Sequence, residues 1–260
     1  MALHIFTIAS DINRLSYLKQ TENNYNNGVN YLIKDTWNGF IDKLTNIKEI
    51  IDTIPLNDIV CFIDGYDVLI NSDNESIINK FKSYNCDLLI GSELNCFPGN
   101  YIEQMDNCNK NEVNFYKYIN AGGYIGYNKN VKEMLNWKNN DELNTICQNG
   151  TDQSYLIEYY LANIMNKNMK LDIYCKVFQN MHWVSWDSFI FKNGVIYNTI
   201  MDVEPCFIHF NGGTWQTNSR ENIMPIFVKK IEESKTYNST LNLNEYQQII
   251  TNTCYPHRQK

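Results

Sequence analysis

Ile59-Val60-Cys61-Phe62-Ile63-Asp64-Gly65-Tyr66-Asp67 is the stretch whose reading decides the fold. Five apolar residues without alternation describe a strand buried on both faces, as in parallel sheets covered by helices. Two carboxylates follow at its C-terminal end, three positions apart across a Gly turn. In an open α/β sheet, ligands bind outside the carboxyl ends of the strands. Asp64 and Asp67 can therefore face one cation, and hard oxygen ligands suit Mg²⁺ or Mn²⁺ bridging a diphosphate. Taken alone, the four residues fit equally an Asp-Gly turn closed by a capping Asp.

Working outward, residues 3–9 read as a first strand, 11–20 as a helix and 31–33 as a second strand, with a polar loop over 22–30. Phe40, Leu44, Ile47, Ile50, Ile51 and Ile54 recur at three- and four-residue steps, which marks an amphipathic helix. Beyond the acidic turn come a helix at 74–84, a buried strand at 87–91, a polar irregular segment at 98–117 and a strand-like run at 124–127. Helices follow at 129–138, 141–147 and 153–166, then short strands at 171–174, 189–191 and 205–210. Alternating strands and helices predict an α/β fold with a central, mostly parallel sheet. One domain spans 1–215, and 216–260 is read as a helical C-terminal extension packed on it.

Composition narrows the function. Of the 260 residues, 43% are hydrophobic and 20% charged, as in a globular protein with a real core. A net charge of −7 argues against a nucleic-acid partner, which would want a basic face. No apolar run is long enough to cross a membrane. Met1-Ala2-Leu3-His4 lacks the basic start of a signal peptide. The eight Cys show no paired CxxC spacing; Cys61 and Cys86 read as buried thiols, and Cys96 and Cys108 are the nearest candidates for a bridge.

A third candidate ligand comes late. Ile208-His209-Phe210-Asn211-Gly212-Gly213 sets a His at a strand end before a Gly-rich turn. Such a His can complete an octahedral site, and imidazole tips the metal towards Mn²⁺. The backbone N–H groups of the turn can meet phosphate. Phosphatases of the haloacid-dehalogenase type also place acids after a buried strand. Theirs are spaced i, i+2 rather than i, i+3, and no Lys-then-acid-pair pattern follows here.

Five blocks in order make a resemblance specific: Phe62–Val68, Gly91–Pro98, Ile119–Gly126, Thr151-Asp152-Gln153 and Ile208–Gly212. Together they resemble the N-terminal glycosyltransferase domain of the multifunctional procollagen lysyl hydroxylases and the related collagen glycosyltransferases, over roughly residues 3–215. The resemblance implies a single-domain Rossmann-like fold of the GT-A type that uses a UDP-sugar and Mn²⁺. It implies Asp64, Asp67 and His209 as metal ligands and Tyr66 as an aromatic stacking on uracil. It sets Thr7 at the nucleotide, Trp37 and Lys43 along the donor pocket, and Asn211 and Gly212 close to the diphosphate. Glu93 and Asp152 match acids near the transferred sugar, Asp152 nearest the anomeric carbon or acceptor hydroxyl and Glu93 on sugar hydroxyls. Read without the resemblance, Asp152 is a helix cap and Glu93 a surface acid.

The implied activity is retaining transfer of glucose from UDP-glucose to galactosyl-hydroxylysine in collagen or a collagen-like protein. Sugar transfer straight onto hydroxylysine, and an inactive collagen-binding module, are the alternatives. Two departures stand out. The family's Cys-Trp-Pro is Cys96-Phe97-Pro98 here, and its run of acids before Gln is reduced to Asp152 after Thr151. The chain stops where the family's further domains begin, so no iron- and 2-oxoglutarate-dependent hydroxylase is expected in it. The family works in the secretory pathway. With no signal read here, host-cell cytoplasm or a viral replication compartment is the setting that reconciles the two. A homodimer is left open.

Overall fold

The computed structural model describes residues 1–112, 114–212 and 214–243. Strands β1 (Leu3–Ala9), β2 (Asn30–Ile33) and β3 (Ile59–Ile63) lie parallel, joined by helices α1 (Ser16–Tyr25) and α2 (Ile41–Ile51). After β4 (Val68–Ile70) and α3 (Asn74–Ser83) come β5 (Leu88–Glu93), α4 (Ile102–Cys108) and the ten-residue β6 (Tyr118–Tyr127). Helices α5 (Asn128–Leu135), α6 (Asn140–Asn149) and α7 (Asp152–Asn163) then lead to β7 (Met169–Leu171). The central sheet has the order β2-β1-β3-β6-β5-β7, and β6 alone runs against its neighbours.

The unbroken apolar run of β3 is buried throughout, as its sequence requires. Val60 and Phe62 face one side, with Leu44, Ile47 and Ile51 of α2 and Leu156 of α7. Ile59, Cys61 and Ile63 face the other, with Leu15, Leu18 and Phe81. Each fully buried side chain of this size contributes about 1.5–3 kcal/mol, so β3 anchors both layers of the core.

The remaining strands form two small sheets. β11 (Phe207–His209) lies between β4 and β8 (Phe178–Asn180). β9 (Phe189–Lys192) lies between β10 (Val195–Asn198) and β12 (Thr240–Leu241). Helix α8 (Thr214–Thr236) closes over them, its Phe227 ring meeting Trp186, Phe189, Phe191 and Phe210 at 5.0–5.9 Å between centroids. Residues 244–260 of the expected helical extension lie outside the described residues. Among the described residues, no helix is long and apolar enough to cross a membrane.

Several expectations are corrected. The loop expected from Glu22 begins only at Asn26, which ends α1 in the left-handed conformation (φ 54°) that Asn tolerates better than most residues. The segment 98–117 contains α4, held down by the buried Met105. The strand expected at 171–174 lies at Met169–Leu171 instead, where it pairs with β5. Cys96 and Cys108 form no bridge: Cys96 sits in the loop after β5 with its thiol towards the Pro98 carbonyl, and both sulfurs are free. Strands β4, β8, β10 and β12 are two to four residues long, too short for a periodic signal.

One buried acid fixes the approach to β8. Asp172 accepts hydrogen bonds from the backbone N–H groups of Lys176 (3.0 Å), Val177 (2.8 Å) and Phe178 (2.6 Å), and from the Tyr84 hydroxyl. Asp172→Asn replaces one of the two acceptor oxygens by an amide NH₂, which then faces either the Val177 and Phe178 N–H groups or the Lys176 N–H and the Tyr84 hydroxyl. It should lower stability by about 2–4 kcal/mol, measured as a lower urea midpoint at unchanged slope.

Candidate active site

Asp64 and Asp67 bracket the turn between β3 and β4. The Asp64 N–H donates to the Gly122 carbonyl of β6 (2.8 Å), and the Asp67 carbonyl accepts from Phe210 N–H (2.8 Å). The turn packs closely on β1: a Cβ on Gly65 would lie 2.7 Å from both Leu15 Cδ2 and Thr7 Oγ1. His209 ends β11, in register with Val68 of β4 on one side and Asn180 of β8 on the other. The three residues come together. His209 Nε2 is 3.6 Å from Asp64 Oδ2 and 3.4 Å from Asp67 Oδ1, and one ligand atom from each residue lies within 4.8 Å of the others.

The His209 tautomer is set by the chain. Asn180 Nδ2 donates to the Ser92 carbonyl (2.8 Å), so its Oδ1 is the atom that meets His209 Nδ1 at 2.7 Å. Nδ1 therefore carries a hydrogen, and Nε2 is buried without a hydrogen-bond partner, aimed at two carboxylates. Burial opposes charge on the ring, but Asp67 and Asp64 outweigh it and raise the imidazole pKa above its ordinary value. An unpartnered ring nitrogen beside two carboxylates, with its other nitrogen held by a second residue, fits a divalent cation. Gly122 makes room for the ring, since a Cβ there would lie 2.1 Å from His209 Cε1.

Lys43 of α2 supplies the nearest fixed positive charge. Its Nζ lies 2.6 Å from Asp64 Oδ1 and 3.2 Å from Asp152 Oδ2. Burial works against that charge, yet Asp152 and Asp64 hold it above the usual lysine range. Asp152 is the first residue of α7, buried, while Thr151 takes the cap by accepting from Gln153 N–H. Burial pushes the Asp152 carboxyl up, Lys43 draws it back and Asp64 pushes it up again, leaving a net rise.

Glu93, at the end of β5, is only 2% exposed, so the surface reading does not hold. Its oxygens accept from Asn120 Nδ2 (3.1 Å), Gln153 Nε2 (3.0 Å) and Asn211 Nδ2 (2.9 Å). Asn211 Oδ1 in turn accepts from the N–H groups of Met181 and His182. Lys43, Asp64, Asp67, Glu93, Asp152, His209, Asn211 and Gly212 all line one cavity of about 500 Å³.

An adjoining cavity of about 310 Å³ shares Lys43, Asp64 and Asp67 and adds Trp37, Tyr66 and Arg14. The Tyr66 hydroxyl accepts from Ser10 and Asp11 N–H, and the Arg14 guanidinium lies 4.2 Å from the ring centroid. Thr7 lines neither cavity, because its fully buried side chain points under Gly65. Gly213 lies outside the described residues. Sequence reasoning missed the amides of Asn120, Gln153 and Asn180 as well as His182. The first two stand inside quoted motifs; the other two belong to a segment with no periodic signal.

Comparison with known proteins identifies relatives of this chain. The family model described as PLOD GT domain matches residues 2–233. The multifunctional procollagen lysine hydroxylase and glycosyltransferase of Caenorhabditis elegans is 29% identical over 66% of this chain and 23% of its own length. Its LH3 counterpart in Rattus norvegicus is 30% identical over 64% of this chain and 22% of its own length. Protein R699 of Acanthamoeba polyphaga mimivirus is 27% identical over 65% of this chain and 35% of its own length. The chain thus spans about a fifth to a third of these relatives. Among solved structures, the galactosyltransferase LgtC with donor and acceptor sugar analogues aligns at 14% identity with a TM-score of 0.47, covering 94% of this chain and 99% of that one. With a family model matched along most of its length, the chain belongs to the PLOD glycosyltransferase-domain family.

Proposed function

We propose that the chain is a Mn²⁺-dependent retaining transferase that moves glucose from UDP-glucose to galactosyl-hydroxylysine of a collagen-like protein. The observation that carries this reading is the buried, unpartnered His209 Nε2 facing Asp64 and Asp67, in the cavity that also holds Asp152 and Lys43. The procollagen lysine hydroxylase and glycosyltransferase names borne by the relatives support a collagen-like acceptor.

Asp64, Asp67 and His209 hold the cation. When bound, it supplies positive charge to the diphosphate leaving group, the electrostatic contribution expected to be largest in such a transfer. Trp37 and Tyr66 bind the nucleotide base in the smaller cavity, which opens onto the metal ligands they adjoin. The sugar occupies the larger cavity beside Asp152. Lys43 offsets the burial of Asp152 and so helps keep its carboxylate charged next to the anomeric carbon or the acceptor hydroxyl. Glu93, with its oxygens already held by three amides, acts by fixing Asn120, Gln153 and Asn211 around the sugar. Asn211 spends both ends of its amide on protein groups, which leaves Gly212 as the nearer neighbour of the diphosphate.

A donor screen against a hydroxylysine collagen peptide, with and without galactose, read by mass spectrometry, tests the assignment. Glucose is expected on the galactosylated peptide, and Asp64→Ala or Asp67→Ala should abolish it. Transfer retained in either variant would refute the metal assignment. Asn180→Ala removes the acceptor that orients His209 and should weaken Mn²⁺ binding about 10- to 100-fold, measured by calorimetry. The pH dependence follows from the raised His209 pKa. Below that value Nε2 carries a proton that the cation must displace. Mn²⁺ affinity should therefore fall with decreasing pH, starting above the ordinary imidazole value. The same proton stabilises the metal-free fold below the unfolded histidine pKa, and that contribution is lost as pH rises through the folded value.

A further inference from the structure

A third cavity, of about 770 Å³, adjoins the catalytic one and has no part in the chemistry described above. Two dipeptides form the border. Glu93 lines the catalytic cavity and the next residues, Leu94 and Asn95, line the third; His182 lines the catalytic cavity and Trp183 the third. The smallest cavity shares Asp64 and Asp67 with the catalytic cavity, and the third starts at Leu94 and Trp183, the residues that follow Glu93 and His182.

The walls of the third cavity combine exposed apolar groups with unspent polar ones. Trp183 is 50% exposed, Ile200 73% and Phe115 80%. Asn95 Nδ2 and Ser188 Oγ, both on residues lining the cavity, are buried without a hydrogen-bond partner. A buried amide or hydroxyl with no partner costs about 1–3 kcal/mol, and a ligand carbonyl in the cavity would satisfy either one once its side chain turned out of the wall. Trp183 has a positive φ of 64°, a conformation that bulky residues rarely adopt and that recurs at functional sites. It is held there by a turn whose Met181 and His182 N–H groups both donate to Asn211, with the His182 ring stacked on the indole. Asn211 also binds Glu93, so one amide couples the position of the indole to the catalytic cavity.

We propose that this cavity binds an extended segment of the acceptor polypeptide, flanking the residue whose side chain enters the catalytic cavity. This rests on the reading of the catalytic cavity as a sugar-transfer site. The neighbouring pairs Glu93-Leu94 and His182-Trp183, one residue of each on either cavity, supply the direction of the chain. The unpartnered Asn95 and Ser188 atoms match main-chain carbonyls, and the exposed rings offer flat surfaces to a backbone that carries small side chains. A bare sugar or amino acid held at the catalytic cavity would leave all of these groups unused.

The test is fluorescence anisotropy with a labelled collagen-like hydroxylysine peptide and the full chain carrying Trp183→Ala or Ile200→Glu. Both side chains are half-exposed or more, and thermal melting checks that each variant folds. Wild type should bind, and each variant should bind about tenfold or more weakly, as expected for an aromatic anchor or a charge set in an apolar contact. The ratio of kcat/KM for the peptide to that for free galactosyl-hydroxylysine should fall by a similar factor. Binding by the variants within about twofold of wild type, no binding by wild type, or equal losses on peptide and free acceptor would each overturn the proposal. Mn²⁺-dependent UDP-glucose hydrolysis by the same wild-type preparation reports on the transferase reading separately. Peptide binding without hydrolysis removes that reading and leaves the peptide site; hydrolysis without peptide binding removes only the peptide site.

Discussion

Four carboxylates, those of Asp64, Asp67, Glu93 and Asp152, line one cavity, and the rest of the site is arranged around that concentration of negative charge. Two like charges 4 Å apart at an effective dielectric of 20 repel by about 4 kcal/mol, so acids at this density need counter-charge or many donors. Both solutions occur. Lys43, the one lysine or arginine among the described residues lining this cavity, bridges Asp64 and Asp152. Glu93 is instead surrounded by neutral amides, which stabilise its charge without adding one. That leaves Asp67 and the second oxygen of Asp64 facing an imidazole nitrogen, the place where a cation fits.

The sheet brings these groups together through the one strand that breaks its pattern. Because β6 runs against β3 and β5, its N-terminal half lies beside their C-terminal ends, where Asp64 and Glu93 emerge. Asn120 thereby reaches Glu93, and the Gly122 carbonyl reaches the Asp64 N–H. The Asn120-Ala121-Gly122-Gly123 run is also a steric requirement. A Cβ on Gly122 would enter the His209 ring, and one on Gly123 would lie 2.5 Å from the Phe178 ring on β8. A strand built to pack a core would carry larger side chains there; this one carries space.

The legible and illegible parts of the site divide along the same physical line. Asp64 and Asp67 could be found because a five-residue apolar run makes a strand end visible, and His209 because it precedes two glycines. The parallel sheet could be inferred from β3 and its neighbours, but strand direction leaves no trace in composition, so the reversal of β6 stayed hidden. Asn180 and Gln153 were missed for a different cause. An amide announces no chemistry by itself, and these two matter through partners 88 and 60 positions away in sequence. Thr7 is a different case: the resemblance set it at the nucleotide, and the strand's alternation turns its side chain under Gly65.

The geometry around the charged cluster is thus held by uncharged groups, and they act as a chain. Asp172 gathers the backbone of residues 176–178 and so starts β8, while Ser92 Oγ donates to the Asp172 carbonyl. Ser92 returns its own carbonyl to Asn180 at the far end of the same short strand, and Asn180 then orients His209. Both ends of β8 are therefore tied to Ser92 of β5, one through Asp172 and one directly, before the imidazole is reached. A cation could hold a loose set of ligands together only by ordering them as it bound. Here that ordering is accomplished during folding, so the free energy of binding is available for the ion itself.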